Sequence, residues 1–306
     1  MTHDIAVLGI FAADTAYRAS RMPEMGETIL GEGFALNPGG KGSNQAVAAA
    51  QAGGHVAFLT RIGTDTFGDL AVDTWTRAGV RFAGSRVAEH PTGAAFIYVD
   101  AASGDNAIIV APGAAGTIGA AEVDGWADTI RAAKIFLVQL EQPLEAAGRA
   151  LEIARASGVR TILNPAPAAE VSDAMLALCD IVTPNESEAA LLSGRAVTSV
   201  NDAEAAARVL LARGAGAVAV TLGAAGALYV DGATVTRIDG LSAGPVVETT
   251  GAGDAFNGGL AVALSEGSEI GAALRFANAT AALSVTRAGA APSMPDRAAI
   301  DALLAR

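Results

Sequence analysis

The chain has one cysteine, Cys179, which excludes an internal disulfide. It lies in the apolar run Leu176-Ala177-Leu178-Cys179 and reads as a small buried hydrophobe. The three histidines, His3, His55 and His90, are far apart and show no metal-ligand spacing. Lysine occurs only at Lys41 and Lys134. Positive charge is scarce altogether: 20 Lys and Arg stand against 32 Asp and Glu, a formal net charge of −12. That argues against a nucleic-acid or anionic-membrane surface, which would need a basic face. An anionic ligand must instead be held by local features, such as helix N-termini, a metal ion or a few placed cations. Aromatic residues make up only 5%, so the core must be built from Ala, Val, Leu and Ile. No apolar run reaches transmembrane length, and no basic region followed by an apolar one opens the chain. These absences lead to the expectation of a soluble, cytoplasmic protein.

What is present is apolar surface and alternation. Hydrophobic residues are 51% of 306, enough for one large α/β domain or two modest ones. Residues 5–10 form a short apolar run that predicts a buried strand, with Asp14 just beyond its C-terminal end. Residues 26–36 read as extended chain punctuated by Gly, and 46–52 as an Ala-rich helix. A strand is expected over 55–62 and a helix from the turn at 64–68 to about 78. The runs 92–99 and 107–110, separated by a polar turn, predict a hairpin. With 26–36 it forms a small sheet, a flap or lid apart from the main one.

From Glu122 the pattern alternates. Helices are expected at 122–133, 143–156, 172–178 and 202–213, with one more starting after Pro184-Asn185-Glu186. Strands are expected at 135–140, 159–163, 180–183 and 217–222. Three short β runs follow over 227–248, and a long helix at 270–286. Strands alternating with helices imply right-handed crossovers and a parallel sheet covered on both faces. Polar residues recur where these strands end: Glu141, Asn164, Asn185 and Thr221. Each can be a turn or cap residue, yet together they line the sheet edge at which open α/β folds bind ligands. Asn185 and Glu188 are three apart on one helix face, and a carboxylate there can hold Mg²⁺ through water.

Two glycine-rich stretches stand out. In Asn37-Pro38-Gly39-Gly40-Lys41-Gly42-Ser43-Asn44-Gln45 one of the two lysines sits among glycines at a helix start. It is not a nucleotide P-loop, because Gly42 stands where Ser or Thr follows the Lys. Lys41 and Asn44 can donate to ligand oxygens. In Thr249-Thr250-Gly251-Ala252-Gly253-Asp254-Ala255-Phe256 three small residues lead into an acid and then an apolar helix. Unpaired N–H groups at that helix start form an anion cradle. A carboxylate beside them makes sense as a base that takes a proton from an attacking hydroxyl while the amides hold developing charge. Read alone, Asp254 serves equally well as a helix cap.

These two stretches, with Asn164-Pro165-Ala166-Pro167, the segment 183–188 and Val285-Thr286-Arg287-Ala288-Gly289-Ala290, resemble the ribokinase (pfkB) family of carbohydrate kinases essentially end to end. The resemblance implies one three-layer α/β/α domain over 1–306 with a mostly parallel central sheet. A small β-sheet lid from about 15–38 and 91–111 is implied with it, often forming a homodimer interface. It implies ATP-dependent phosphorylation of a sugar hydroxyl. Asp254 matches the general base and Gly251, Ala252 and Gly253 the anion hole. Asp14, Gly40, Lys41, Asn44 and Glu141 match sugar-binding positions. Asn185, Thr221, Gly223, Gly253 and Asn278 match nucleotide positions. Glu188 belongs to the acidic motif associated with Mg²⁺, and K⁺ activation is implied near Glu248, Thr250 and the 286–293 loop, including Ser293.

The chain departs from the family pattern in two places. Ala12, flanked by Phe11, stands where ribokinases usually carry Asn, and Glu248 where they carry Asp. D-ribose is the expected acceptor. The alternatives are another small sugar, a nucleoside stacked on Phe11, or a non-catalytic sugar- or nucleotide-binding protein. A dehydrogenase is not expected, because no Gly-x-Gly-x-x-Gly follows the first strand.

Overall fold

Alternate residues of the central strands point into two different cores. Ile5 and Val7 belong to one, Ala6 and Leu8 to the other, and the same split divides Ile135 and Leu137 from Phe136 and Val138. A sheet buried on both faces is what such uninterrupted apolar strands require. The computed structural model describes residues 3–306. In chain order its strands are β1 (Ile5–Leu8), β2 (Ala12–Ala19), β3 (Gly33–Gly39), β4 (Val56–Leu59), β5 (Arg61–Gly63), β6 (Arg81–Phe82), β7 (Ser85–Val87), β8 (Thr92–Asp100), β9 (Asn106–Gly113), β10 (Ile135–Val138), β11 (Arg160–Leu163), β12 (Ile181–Val182), β13 (Ala217–Thr221), β14 (Gly226–Asp231) and β15 (Val235–Asp239). The helices are α1 (Lys41–Gln51), α2 (Thr66–Ala78), α3 (Ala120–Gly125), α4 (Ala127–Arg131), α5 (Leu144–Ala156), α6 (Asp173–Leu176), α7 (Glu186–Ser193), α8 (Val200–Ala212), α9 (Ala252–Ser265), α10 (Ile270–Ser284) and α11 (Arg297–Leu304).

The main sheet runs β15-β14-β13-β12-β11-β10-β1-β4-β6. It is parallel except at β14 and β15. Helices α1, α2, α9, α10 and α11 cover one face, and α3 to α8 the other. This is the expected three-layer α/β/α arrangement. The small sheet runs β3-β2-β8-β9.

Several boundaries differ from the sequence reading. The 55–62 strand is two: after Leu59 the chain turns and β5 pairs with β7 instead. Gly84 permits this, because a Cβ there would lie 1.8 Å from Thr60 O, so only Gly lets Ser85 donate to that carbonyl at 3.0 Å. The 122–133 helix breaks at Trp126. The third run of 227–248 is not a strand: Val247 and Glu248 donate instead to Val285 O. Helix α1 starts at Lys41, not 46, so Asn44 and Gln45 are helical. Its N-cap, Gly40, takes φ 89°, which other residues resist. The small sheet begins at Ala12 rather than 15, so Asp14 lies within a lid strand and not on a loop past β1.

Candidate active site

Helix α9 is the central element of the site. Gly251 caps it in the left-handed region, at φ 79°. The first intrahelical bond runs from Ala255 N–H to Gly251 O at 2.8 Å, and Ala252 N–H turns back to Thr249 O at 3.2 Å. The N–H groups of Gly253 and Asp254 precede the helical ladder and are left without helical acceptors. A Cβ at Gly253 would meet nothing within 4 Å, so the position is open to a ligand. Two further glycines draw α9 against its neighbours. A Cβ on Gly258 would sit 2.6 Å from Ala48 Cβ of α1, and one on Gly259 2.6 Å from Thr280 Oγ1 of α10.

Close packing of α1 on α9 brings the two glycine-rich stretches together. Asp254 Oδ2 accepts Asn44 Nδ2 at 3.0 Å, and Oδ1 accepts Gln45 Nε2 at 3.0 Å. Burial pushes the Asp254 carboxyl above its ordinary range, while the Lys41 charge and the two amides oppose that rise. A proton acceptor with raised affinity, still hydrogen-bonded as a carboxylate, suits general-base work.

A cavity of about 160 Å³ opens over this carboxylate. Of the predicted residues it gathers Lys41, Asn185, Glu188, Thr221, Gly251, Ala252, Gly253 and Asp254. Asn164, Thr183, Thr249 and Asn257 also line it. Lys41 makes no ion pair among the described residues, so its ammonium is available to an anionic ligand. Beside the cavity, Glu141 Oε2 accepts the main-chain N–H of Lys41 at 2.7 Å. Burial lifts Glu141 to about 7, partly offset by Lys41, and burial lifts Asp14 to about 6. Asp14 lies over Gly39, where a Cβ would approach its carboxylate to 2.2 Å.

Other predicted positions lie outside the cavity lining. Asn278 donates to Asp239 O at 3.2 Å, and Gly223 begins a short turn with open space around its Cα. Glu248 Oε2 accepts Gly289 N–H at 2.8 Å and so ties the stretch before α9 to the 286–293 loop. Thr250 is exposed, and Ser293 is buried with its hydroxyl on Ala290 O at 2.8 Å. Asn185 and Glu188 form a capping box on α7: Asn185 N–H donates to Glu188 Oε2 at 2.9 Å and Glu188 N–H to Asn185 Oδ1 at 2.8 Å. The local cap is therefore real, yet Oε1 of Glu188 accepts nothing from the protein and burial pushes its carboxyl up. Among the described residues there is no cluster of three or more His, Cys, Asp and Glu that could hold a metal. No helix is long and apolar enough to cross a membrane.

Residues 2–297 match the pfkB family carbohydrate kinases. The chain belongs to that family. This carbohydrate kinase is 40% identical over 298 residues to a ribokinase of Haemophilus influenzae, covering 97% of each chain. It is 35% identical over 294 residues to a deoxyribokinase of Salmonella typhi, covering 95% of each. Its fold matches a ribokinase of Arabidopsis thaliana complexed with ribose and ATP, with TM-score 0.93, 32% identity and 99% of both chains covered. The kinase is thus a ribokinase-like phosphotransferase with an alcohol group as acceptor, on a three-layer fold with a small β-sheet lid.

Proposed function

We propose that this kinase transfers the γ-phosphate of ATP to the primary hydroxyl of a pentose, converting D-ribose to D-ribose 5-phosphate. The observation that carries the reading is Asp254, buried beside unpaired helix N–H groups and flanked by the ammonium of Lys41. Asp254 takes the proton of the attacking hydroxyl, which then displaces ADP in line. The N–H groups of Gly251, Ala252 and Gly253 receive the charge that spreads over the phosphoryl oxygens, with Ala252 exchanging its bond to Thr249 for the substrate. Asp14, Gly40, Lys41, Asn44 and Glu141 hold the sugar. Asn185, Thr221, Gly223, Gly253 and Asn278 hold the nucleotide.

The free Oε1 of Glu188 is an oxygen donor at the cavity wall, which fits a water-mediated Mg²⁺. Bound there, Mg²⁺ neutralises charge on the nucleotide phosphates. The oxygens of Thr250, the 286–293 loop and Glu248 form a hard donor set that fits K⁺, with Ser293 inside the loop. The small sheet closes over the sugar as a lid and excludes water. Its outer face carries Phe34 and Ile109, both largely exposed, and a second copy of the chain covers them in a homodimer. The protein is cytoplasmic.

A second acceptor, another small sugar such as deoxyribose, is favoured by Ala12 beside Asp14 and by the likeness to a deoxyribokinase. The test is ATP-dependent phosphorylation of a panel of pentoses, hexoses and nucleosides with Mg²⁺, with and without K⁺. D-ribose is the expected best acceptor. Asp254→Asn is expected to abolish turnover with sugar binding nearly intact, and normal turnover in that variant refutes the base.

A further inference from the structure

Beneath Asp254 runs a row of buried amides that the proposed chemistry does not use. Gln45 and Gln139 are fully buried and Asn164 nearly so. A side-chain amide has a donor end and an acceptor end, so a row of them needs a fixed group to set its direction. Here that group is the main-chain carbonyl of Thr183, which only accepts. It takes Asn164 Nδ2 at 3.0 Å. Asn164 Oδ1 is thereby turned toward Gln45 and accepts its Nε2 at 2.9 Å. At the other end, Gln45 Oε1 accepts Gln139 Nε2 at 2.5 Å. The second proton of Gln45 Nε2 points at Asp254 Oδ1, 3.0 Å away.

Reversing Gln45 would set its oxygen against both Asn164 Oδ1 and the carboxylate. Gln139, whose Oε1 is buried without a partner, follows Gln45 rather than directing it. The row therefore has one polarity. Thr183 is itself held to the base's helix, because its hydroxyl donates to Asn257 Oδ1 at 2.6 Å and Asn257 Nδ2 donates to Gly253 O at 2.8 Å. Asn44, the other donor to Asp254, is not pinned in this way: its Oδ1 is buried without a partner.

We infer that Gln45 is a positioning residue, an amide whose direction is set by Asn164, itself anchored on the Thr183 carbonyl, so that only a donor faces Asp254 and fixes its carboxylate. The inference rests on the reading of Asp254 as the base. The charged groups facing Asp254 are Lys41 on α1, Glu141 after β10 and Glu188 on α7, with Asp14 of β2 facing Glu141. None of them belongs to the amide row, and the substitutions below leave all of them in place.

The test compares Gln45→Met, Gln139→Met and Asp254→Asn in the full chain. It reads kcat and sugar KM, melting temperature, and the titration of the Asp254 carboxyl carbon by ¹³C NMR, assigned by its loss in Asp254→Asn. Removing one hydrogen bond from a charged acceptor should lower kcat about tenfold in Gln45→Met and raise the titration midpoint by about one pH unit. Sugar KM stays within about twofold, since Asn44 is untouched. Gln139→Met, which contacts neither Asp254 nor the cavity, shifts both readings in the same direction and by less, and serves where Gln45→Met does not fold. An unmoved midpoint in the folded variants overturns the inference, even where melting temperature and kcat fall together. Turnover surviving in Asp254→Asn overturns the base assignment instead, whatever the amide row does.

Discussion

Glu141 accepts the main-chain N–H of Lys41 at 2.7 Å while burial lifts its carboxyl to about 7, and burial holds Asp14 at about 6. A carboxyl raised above its unfolded value binds its proton more readily in the folded state. Its contribution to stability is present below the unfolded pKa, near 4, and is lost as pH rises through the folded value, here 6 to 7. The unliganded protein should therefore lose stability from these two groups between about pH 5 and pH 7. Sugar hydroxyls need the ionised forms as acceptors, so sugar KM should rise as pH falls below about 7, approaching tenfold per unit. Glu141→Gln should weaken sugar binding at pH 8 and flatten the upper part of this profile. KM measured from about pH 5.5 to 8 in both proteins checks it, and parallel profiles would refute the role of Glu141.

The capping box on α7 separates two jobs of Glu188. Glutamine at that position retains the bond from Asn185 N–H but removes the charge. Glu188→Gln should keep stability within about 0.5 kcal/mol and raise the Mg²⁺ needed for half-maximal rate about tenfold. Glu188→Ala should show the same Mg²⁺ defect and also lose about 1 kcal/mol with the cap. Thermal melts and Mg²⁺ titrations of the rate distinguish the two. A Mg²⁺ requirement unchanged in Glu188→Gln would leave the residue as a cap only.

Gly258 and Ala49 set the distance between α9 and α1. A Cβ on Gly258 would lie 2.8 Å from Ala49 N and 2.9 Å from Gln45 O, and these backbone atoms cannot swing aside as a flexible side chain does. Gly258→Ala gains helix propensity of up to about 1 kcal/mol, yet overpacking at such distances costs about 1–3 kcal/mol. The net expectation is destabilisation. A fall in kcat should come with it, because the helices being separated carry Asp254 on one side and Asn44 with Gln45 on the other. Denaturant unfolding and steady-state rates test this; a variant as stable and as fast as the parent would show that the contact relaxes freely.

Much of the architecture was legible because each signal is local. The apolar run at Ile5 to Leu8, the strands before Asn164 and Asn185, and the glycines around Lys41 and Asp254 can each be read within ten residues. What escaped depends on separation in sequence. Gln45 appeared only as part of a glycine-rich stretch, since its partners Gln139, Asn164 and Asp254 lie 94, 119 and 209 residues away. The departure of β5 from the sheet is accompanied by close packing of Gly84 on Thr60, which no periodicity encodes. Asn185 and Glu188 invited either a cap or a metal site, and the capping box is in place while one carboxylate oxygen remains free.

Ala12 is a small buried residue on the lid strand that carries Asp14. It stands two residues before Asp14 on β2 and opposite Gly39 on β3, so its side chain shares a face with the Asp14 carboxylate. Asparagine there would add an amide next to that carboxylate, within reach of a sugar hydroxyl. One added neutral hydrogen bond is worth about 0.5–1.5 kcal/mol, or up to about tenfold in affinity. Ala12 is also buried among apolar neighbours, so the larger polar side chain costs stability in the absence of sugar. Ala12→Asn should therefore lower the melting temperature of the free protein and lower KM for the acceptor that presents a hydroxyl at that point. Comparing ribose with 2-deoxyribose locates it: a gain for ribose alone places the 2-hydroxyl beside residue 12, and an equal gain for both places another hydroxyl there. A loss for both sugars would mean that the site is built around the small side chain and takes its acceptor in a pose that asparagine obstructs.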